Sequence, residues 1–262
     1  MGDVSYRPLI EDMTWSFSRI ECFNDCPYRW FLRYIKKYPE TPQFYSSYGS
    51  FMHKLIEQYY KGEITKDEMQ IKYLFDFHKE VQGTRPQEGT VKKYIDAGLE
   101  YLKSFEPFPF NMIAVEKKVE FEIDEIPFVG YIDYLGEKDG EYYIVDNKSR
   151  DLKPRSGRAN PTVKDKELDD MLRQLYLYAA AVKQEYGKFP KALCFNCFKA
   201  GTFIVEEFNE EAFNEAIIWV KKCVEDIKDA DDFYPNREFF GCYYICGVSD
   251  ECCYWQKRGG TQ

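Results

Sequence analysis

Residues 113–148 constrain this chain most. Three short runs, 113–123, 128–135 and 141–145, alternate apolar with polar or charged residues, and turn signals at Glu125-Ile126-Pro127 and Lys138-Asp139-Gly140 divide them. A period of two is the pattern of strands, so the spacing predicts three antiparallel strands. The second and third carry Gly130-Tyr131-Ile132-Asp133 and Ile144-Val145-Asp146-Asn147-Lys148, which brings two carboxylates and one lysine to the same place. Asp146 and Lys148, two residues apart, share a strand face, and the carbonyl of Asn147 can still reach a metal. Carboxylate oxygens bind hard divalent cations. A lysine beside them adds positive charge where a phosphate would develop negative charge. Alone, an Asp and a Lys near a strand end also fit a surface ion pair. Gly130 leaves room for another backbone or a ligand to come close.

Helical spacing surrounds these strands. It predicts helices over 19–34, broken at Pro27 and capped at Ser18, and over 49–60, 69–77 and 91–105, with a turn-rich loop at 82–90. Downstream, a helix over 168–186 ends at Gly187 and Pro190. A hairpin follows, 192–198 with 202–208 around Lys199-Ala200-Gly201, and then a helix over 210–228. Residues 257–262 are expected to fray. Helices, three strands, a helix, two strands and a helix make an α/β core of strands sandwiched by helices. At 262 residues the chain suits one domain with a full core.

The net charge of −9 argues against coating nucleic acid by bulk electrostatics. A local basic groove needs far less, and Lys36-Lys37, Lys92-Lys93 and the run from Lys148 to Arg158 are candidates for one; a solvated loop is the plainer reading of that run. No apolar run of about 18 residues predicts a membrane span, and no secretory signal is visible, so a cytoplasmic protein is expected. No Gly-x-x-x-x-Gly-Lys sequence supports an ATP motor.

Nine cysteines, an odd number without an export signal, argue against a disulfide framework. Cys242, Cys246, Cys252 and Cys253 lie close together in a turn-rich tail with few apolar residues to fold it, which suggests zinc or an iron–sulfur cluster. Cys194 and Cys197, three apart on a strand, point to opposite faces and read as buried structural residues, as does Cys223. His53 is one of only two histidines, and Gln174 and Tyr178 lie one helical turn apart, both able to hydrogen-bond a phosphate or a base. Glu116, in Val115-Glu116-Lys117-Lys118, reads as part of a solvated edge and is left out of the catalytic set.

Taken in order, Cys26-Pro27 with its aromatic flank, Gly49-x-x-x-His53, Gly130-x-Ile132-Asp133, Asp146-x-Lys148 and Gln174-x-x-x-Tyr178 resemble the RecB-type branch of the PD-(D/E)XK nucleases over residues 14–255. One departure is Asp146, where many relatives carry Glu; another is the three residues between Cys242 and Cys246, where relatives usually have two. The resemblance implies a restriction-endonuclease-like core: a central mixed β-sheet flanked by helices in a single domain over 1–262. Its parts would be a helical N-terminal part (14–110), a catalytic sheet (111–208), and a last helix with a cysteine-rich C-terminal tail (209–262).

It implies that His53, Asp133 and Asp146, with the carbonyl of Asn147, bind Mg²⁺ or Mn²⁺, an ion that lowers the pKa of water and polarises the scissile phosphate. Lys148 would orient that water, and Gln174 and Tyr178 would position the strand. Some members also hold a four-iron–four-sulfur cluster through one N-terminal and three C-terminal cysteines. The matching positions are Cys26, Cys242, Cys246 and Cys252, with Cys22 and Cys253 as competitors and zinc as the alternative metal. The function implied is a metal-dependent DNA exonuclease acting on ends or single strands, with partners from recombination or CRISPR adaptation. A non-catalytic DNA-binding scaffold and a restriction-type endonuclease are the alternatives.

Overall fold

A computed structural model describes residues 5–255; the segment expected to fray lies outside them. After a short α1 (Arg7–Ile10), α2 (Phe17–Asp25) ends where Cys26 turns extended, and α3 (Pro27–Trp30) starts on the proline and runs on into a π-helical turn, Phe31–Ile35. Pro27 therefore breaks the helix where its missing N–H predicts. The cap is Ser16 rather than Ser18: its hydroxyl accepts the Arg19 amide at 3.2 Å. Next come α4 (Phe44–Tyr60), α5 (Lys66–Glu80) and α6 (Glu88–Ser104). α4 starts five residues before Gly49, because Phe44 and Tyr48 already carry the buried face and Gly49 sits inside the helix against Ser149.

The sheet has five strands in the order β1 (Asn111–Ile123), β2 (Ile126–Lys138), β3 (Glu141–Lys148), β4 (Ala192–Cys197) and β5 (Thr202–Glu207). β1, β2 and β3 pair antiparallel, as expected. β3 and β4 pair parallel, since α7 (Val163–Tyr186) carries the chain across between them, and β5 returns antiparallel. Both tight hairpins turn on two residues of positive φ, Asp124-Glu125 (47° and 68°) and Asp139-Gly140 (55° and 76°). That backbone matches the twist of the flanking strands. Pro127, read as part of a turn, lies inside β2 opposite Glu122, and its carbonyl accepts the Trp15 amide at 2.8 Å.

Of three apolar clusters, the two largest flank the central strands. In the larger, Ile20 and Trp30 from the N-terminal helices, Leu175 from α7 and Val220 from α8 (Glu210–Lys228) pack with Phe128 and Ile132 of β2. The smaller unites α4, α5 and α6 through Tyr48, Leu55, Tyr73 and Leu102, and reaches the sheet at Phe198. Cys194, Cys197 and Cys223 are buried, the first two among the closed positions of β4. No helix among the described residues is long and apolar enough to cross a membrane.

Candidate active site

The seam between the sheet and α4 holds the chemistry. Asp133 is buried in β2, at 8% exposure, and Asp146 in β3, at 3%. The β2–β3 register pairs Tyr134 with Val145, so one further step sets Asp133 beside Asp146. Asn147 ties three elements together. Its amide donates to Asp133 Oδ2 at 2.7 Å, its carbonyl lies 2.8 Å from His53 Nε2, and its Oδ1 accepts from Asn196 Nδ2 at 2.7 Å. Asn196 also donates to the Tyr101 hydroxyl at 2.7 Å, so β4 and α6 hold the Asn147 side chain in place.

His53 projects from α4 toward the acids, with Nδ1 3.4 Å from Asp133 Oδ2 and 3.8 Å from Glu116 Oε1. The donor atoms of His53, Glu116 and Asp133 all lie within 4.8 Å of one another. Glu116 therefore belongs to the site and not to a solvated edge. Two features put it there. In the β1–β2 ladder it falls opposite Asp133, between the pairs Val115↔Tyr134 and Lys117↔Ile132. Its φ of 48° also departs from the extended backbone that strict alternation assumes. The turn held the signal that sequence reading missed. Counted back from a two-residue turn at Asp124-Glu125, the hairpin register lands Glu116 on Asp133.

Charge is crowded here. Burial, together with Asp146, raises the Asp133 carboxyl to about 7 in spite of His53 and the Asn147 amide. Burial would lower the His53 imidazole, but Asp133, Glu116 and Asp146 outweigh it and raise it to about 9. Asp146 Oδ2 lies 2.9 Å from Lys148 Nζ and accepts no well-formed hydrogen bond. Buried acids crowded in this way, with an imidazole and a carbonyl beside them, fit a hard divalent cation.

Lys148 is held from the other side by α7. Its Nζ donates to Gln174 Oε1 at 2.7 Å, and Gln174 Nε2 donates to the Tyr178 hydroxyl at 3.1 Å. Gln174 and Tyr178 thus position the lysine. A Cβ on Gly130 would stand 2.4 Å from Tyr178 Cε1. The space at Gly130 is filled by that ring and not by a ligand.

The tail brings a second group together. Cys26, Cys242, Cys246 and Cys252 line one cavity of about 780 Å³ beside the loop that follows Lys148. The competitors lie elsewhere: Cys22 is buried with its sulfur accepting from Arg29 Nε at 3.3 Å, and Cys253 is exposed with its sulfur 3.3 Å from the Tyr28 hydroxyl. Burial raises the thiols of Cys242, Cys246 (to about 11) and Cys252, and the nearby Cys26 sulfur adds to each. Tetrahedral zinc at about 2.3 Å from each thiolate needs sulfurs about 3.8 Å apart. Among the described residues no three cysteine sulfurs lie within 4.8 Å of one another, so the set is wider than a zinc tetrahedron.

Comparison with known proteins gives three findings. The sequence model of the PD-(D/E)XK nuclease superfamily matches residues 14–253. A Staphylococcus carnosus protein named as an ATP-dependent helicase/nuclease subunit is 32% identical over 106 residues, 38% of this chain; the match spans 8% of that protein's length. A crystallised candidate exonuclease from Eubacterium rectale superposes with a TM-score of 0.55 at 13% identity, covering 96% of this chain and 92% of that one. That likeness speaks to the fold alone, and the fold is the mixed five-stranded sheet flanked by helices.

Proposed function

The chain belongs to the PD-(D/E)XK nuclease superfamily, and on that footing we propose that it is a metal-dependent deoxyribonuclease hydrolysing phosphodiester bonds at DNA ends or in single strands. The observation that carries this reading is the convergence of His53, Glu116 and Asp133, from α4, β1 and β2, beside the buried Asp146–Lys148 pair. A Mg²⁺ or Mn²⁺ ion held by these three residues, with Asp146 and the Asn147 carbonyl at hand, would polarise the scissile phosphate and make water more acidic.

The chain's own groups do the rest. An ammonium has three donors. Lys148 commits one to Gln174 and stands in an ion pair with Asp146, which leaves a donor for the attacking water or a phosphoryl oxygen. Two fixed partners aim that donor without reorganisation, as electrostatic stabilisation of developing charge requires. Asn147 fixes the Asp133 carboxylate through its amide and the imidazole through its carbonyl, so both are set before substrate arrives.

Cys26, Cys242, Cys246 and Cys252, which line one cavity, would hold a four-iron–four-sulfur cluster, with zinc as the alternative, and so join the start of α3 to the tail. The matched segment of a helicase/nuclease protein supports action next to a motor supplied by another protein or domain, in recombination or in related DNA processing.

Lys148→Ala tests the proposal. The variant is expected to keep the wild-type melting temperature and lose Mn²⁺-dependent cleavage of a labelled linear strand by about 100–1,000-fold, the range seen when a charge-stabilising donor is removed. Wild-type protein should spare a covalently closed circle. Full activity in the variant would overturn the catalytic assignment, and rapid cutting of the circle would overturn end dependence.

A further inference from the structure

The inward residues of α5, Met69, Tyr73 and Phe77, recur at every fourth position and are buried in the smaller core. On a helix that meets only water outside, the opposite stripe is polar. Here it carries Ile71, Leu74 and Phe75, exposed at 54%, 53% and 83%. Single exposed apolar residues are ordinary. Three neighbours at i, i+3 and i+4 on a helix otherwise rich in charge mark a contact surface.

Most charges on α5 already have partners. Lys72 pairs with Asp76, Lys66 with Glu106 and Glu80 with Lys54. Glu68 accepts from the Thr65 amide and hydroxyl in the capping box, and His78 Nδ1 lies 3.3 Å from Arg85 Nη2. Asp67 and Lys79 form no ion pair among the described residues. The helix dipole accounts for an acid in the first turn and a base in the last. It does not account for where they stand relative to the apolar residues. Asp67 and Lys79 lie six residues to either side of Tyr73, and Ile71 and Phe75 lie two residues to either side. At about 100° per residue, all four fall within roughly 60° of the line opposite the Tyr73 side chain.

A face with that symmetry is complementary to itself. We propose that a second copy of this chain docks on α5, helix antiparallel to helix, about a two-fold axis at the level of Tyr73. Each Ile71 then meets Phe75 of the other copy and each Asp67 meets its Lys79, so one set of contacts is made twice, as isologous pairing requires. Leu74 packs beside them against the methylene stem of Lys72 from the other copy. A parallel pairing would instead set Asp67 on Asp67 and Lys79 on Lys79. One helix pair is small against the roughly 1,200 Å² that stable interfaces bury, so a reversible dimer with a Kd on the order of 10 µM is expected. Since α5 shares its core with α4, which carries His53, the pairing yokes two acid centres. The inference is independent of the nuclease reading.

Sedimentation equilibrium of the full-length protein tests it, over about 1–300 µM, a range that brackets a dimer of that affinity. Anaerobic reducing buffer keeps the exposed Cys253 from cross-linking copies. Wild type should pass from monomer to dimer across the range. Phe75→Ser should raise the Kd at least about tenfold, as loss of a central aromatic anchor does, with the melting temperature unchanged. Asp67→Lys and Lys79→Asp should each weaken self-association several-fold, because both symmetric contacts become repulsive, and high salt should narrow that loss. An equimolar mixture of these two variants should associate again, since every lysine then faces an aspartate. A wild type that stays monomeric at the top of the range would overturn the proposal whatever the variants do, and would leave the face to a different protein. A dimer that Phe75→Ser leaves intact would overturn it too, as would charge variants that fail to recover when mixed.

Discussion

The acid centre and the cysteine tail sit on either side of the loop after Lys148, and different forces hold them. Asp133 and Asp146 are rooted in neighbouring strands whose ladders continue on both sides, between two packed cores. Every polar group of Asn147 discussed above is engaged by a partner from a different element. Among the described residues beyond α8, the named helical elements are a π-helical turn, Gly241–Ile245, and a short 3-10 turn, Ser249–Glu251. It leans on a few contacts, such as the Thr41 amide to the Gly247 carbonyl at 2.8 Å and Phe233 stacked on Phe31 at 4.9 Å. The strands build the first site before any ion arrives. On the proposed reading, the second depends on what its thiols would bind.

The sharpest way to break that contrast is Glu116→Gln. Cleavage is expected to fall by more than about 100-fold, beyond the 10–100-fold typical of groups that only support a metal ligand. Thermal stability should hold or rise, because one of three crowded acids is neutralised. Near wild-type activity would return Glu116 to the solvent edge.

Cys242→Ala is expected to do the reverse. Anaerobically purified wild type should be brown with broad visible absorbance. The variant should lose that colour and expose the tail beyond α8 to limited proteolysis several-fold faster, with the main melting transition unmoved. A tail protected equally in a colourless variant would show that its aromatic contacts suffice.

Gly130→Ala separates packing from chemistry. The added methyl meets the Tyr178 ring, so the variant should lose about 1–3 kcal/mol in denaturant unfolding and lose activity through the displaced Lys148. Unchanged stability would mean that the ring yields freely.

The smallest effect is expected at Asp165, which caps α7. The Ser156 hydroxyl and amide and the Thr162 amide and hydroxyl all donate to its carboxylate and hold it well below the usual range. A folded-state pKa below the unfolded value of about 3.9 gives stability that is present above that pH and fades as pH falls through the acid range. The melting-temperature gap between wild type and Asp165→Asn should therefore be clear at neutral pH and close below about pH 4. A gap independent of pH would argue against the carboxylate.

Much of the sheet was legible because a period of two survives wherever one strand face is buried, as at Val119, Phe121 and Ile123. The order of His53, Asp133, Asp146, Lys148, Gln174 and Tyr178 along the chain was legible too. What Gln174 and Tyr178 do was not, since a helical pair with free hydrogen-bonding groups looks the same whether it faces DNA or a lysine. Glu116 escaped because alternation presumes extended backbone, and one residue of positive φ was enough to mislead it. The start of α4 escaped because Gly49 looked like a boundary, when it lies inside the helix, five residues past its start at Phe44. The four cysteines that share the cavity are those the family resemblance named, though how the tail folds back to bring them there is encoded by no local pattern.

The β1–β2 hairpin is also a ruler. Its turn is the zero mark, and the arm of β1 between the turn and the site sets which side chain is read out against Asp133. One residue inserted in that arm, unless a bulge absorbs it, would present Lys117 there and put an ammonium where the proposed cation would bind. One residue removed would present Val115, which has no donor to offer. The length of a surface arm thus carries as much catalytic information as the acid it measures out.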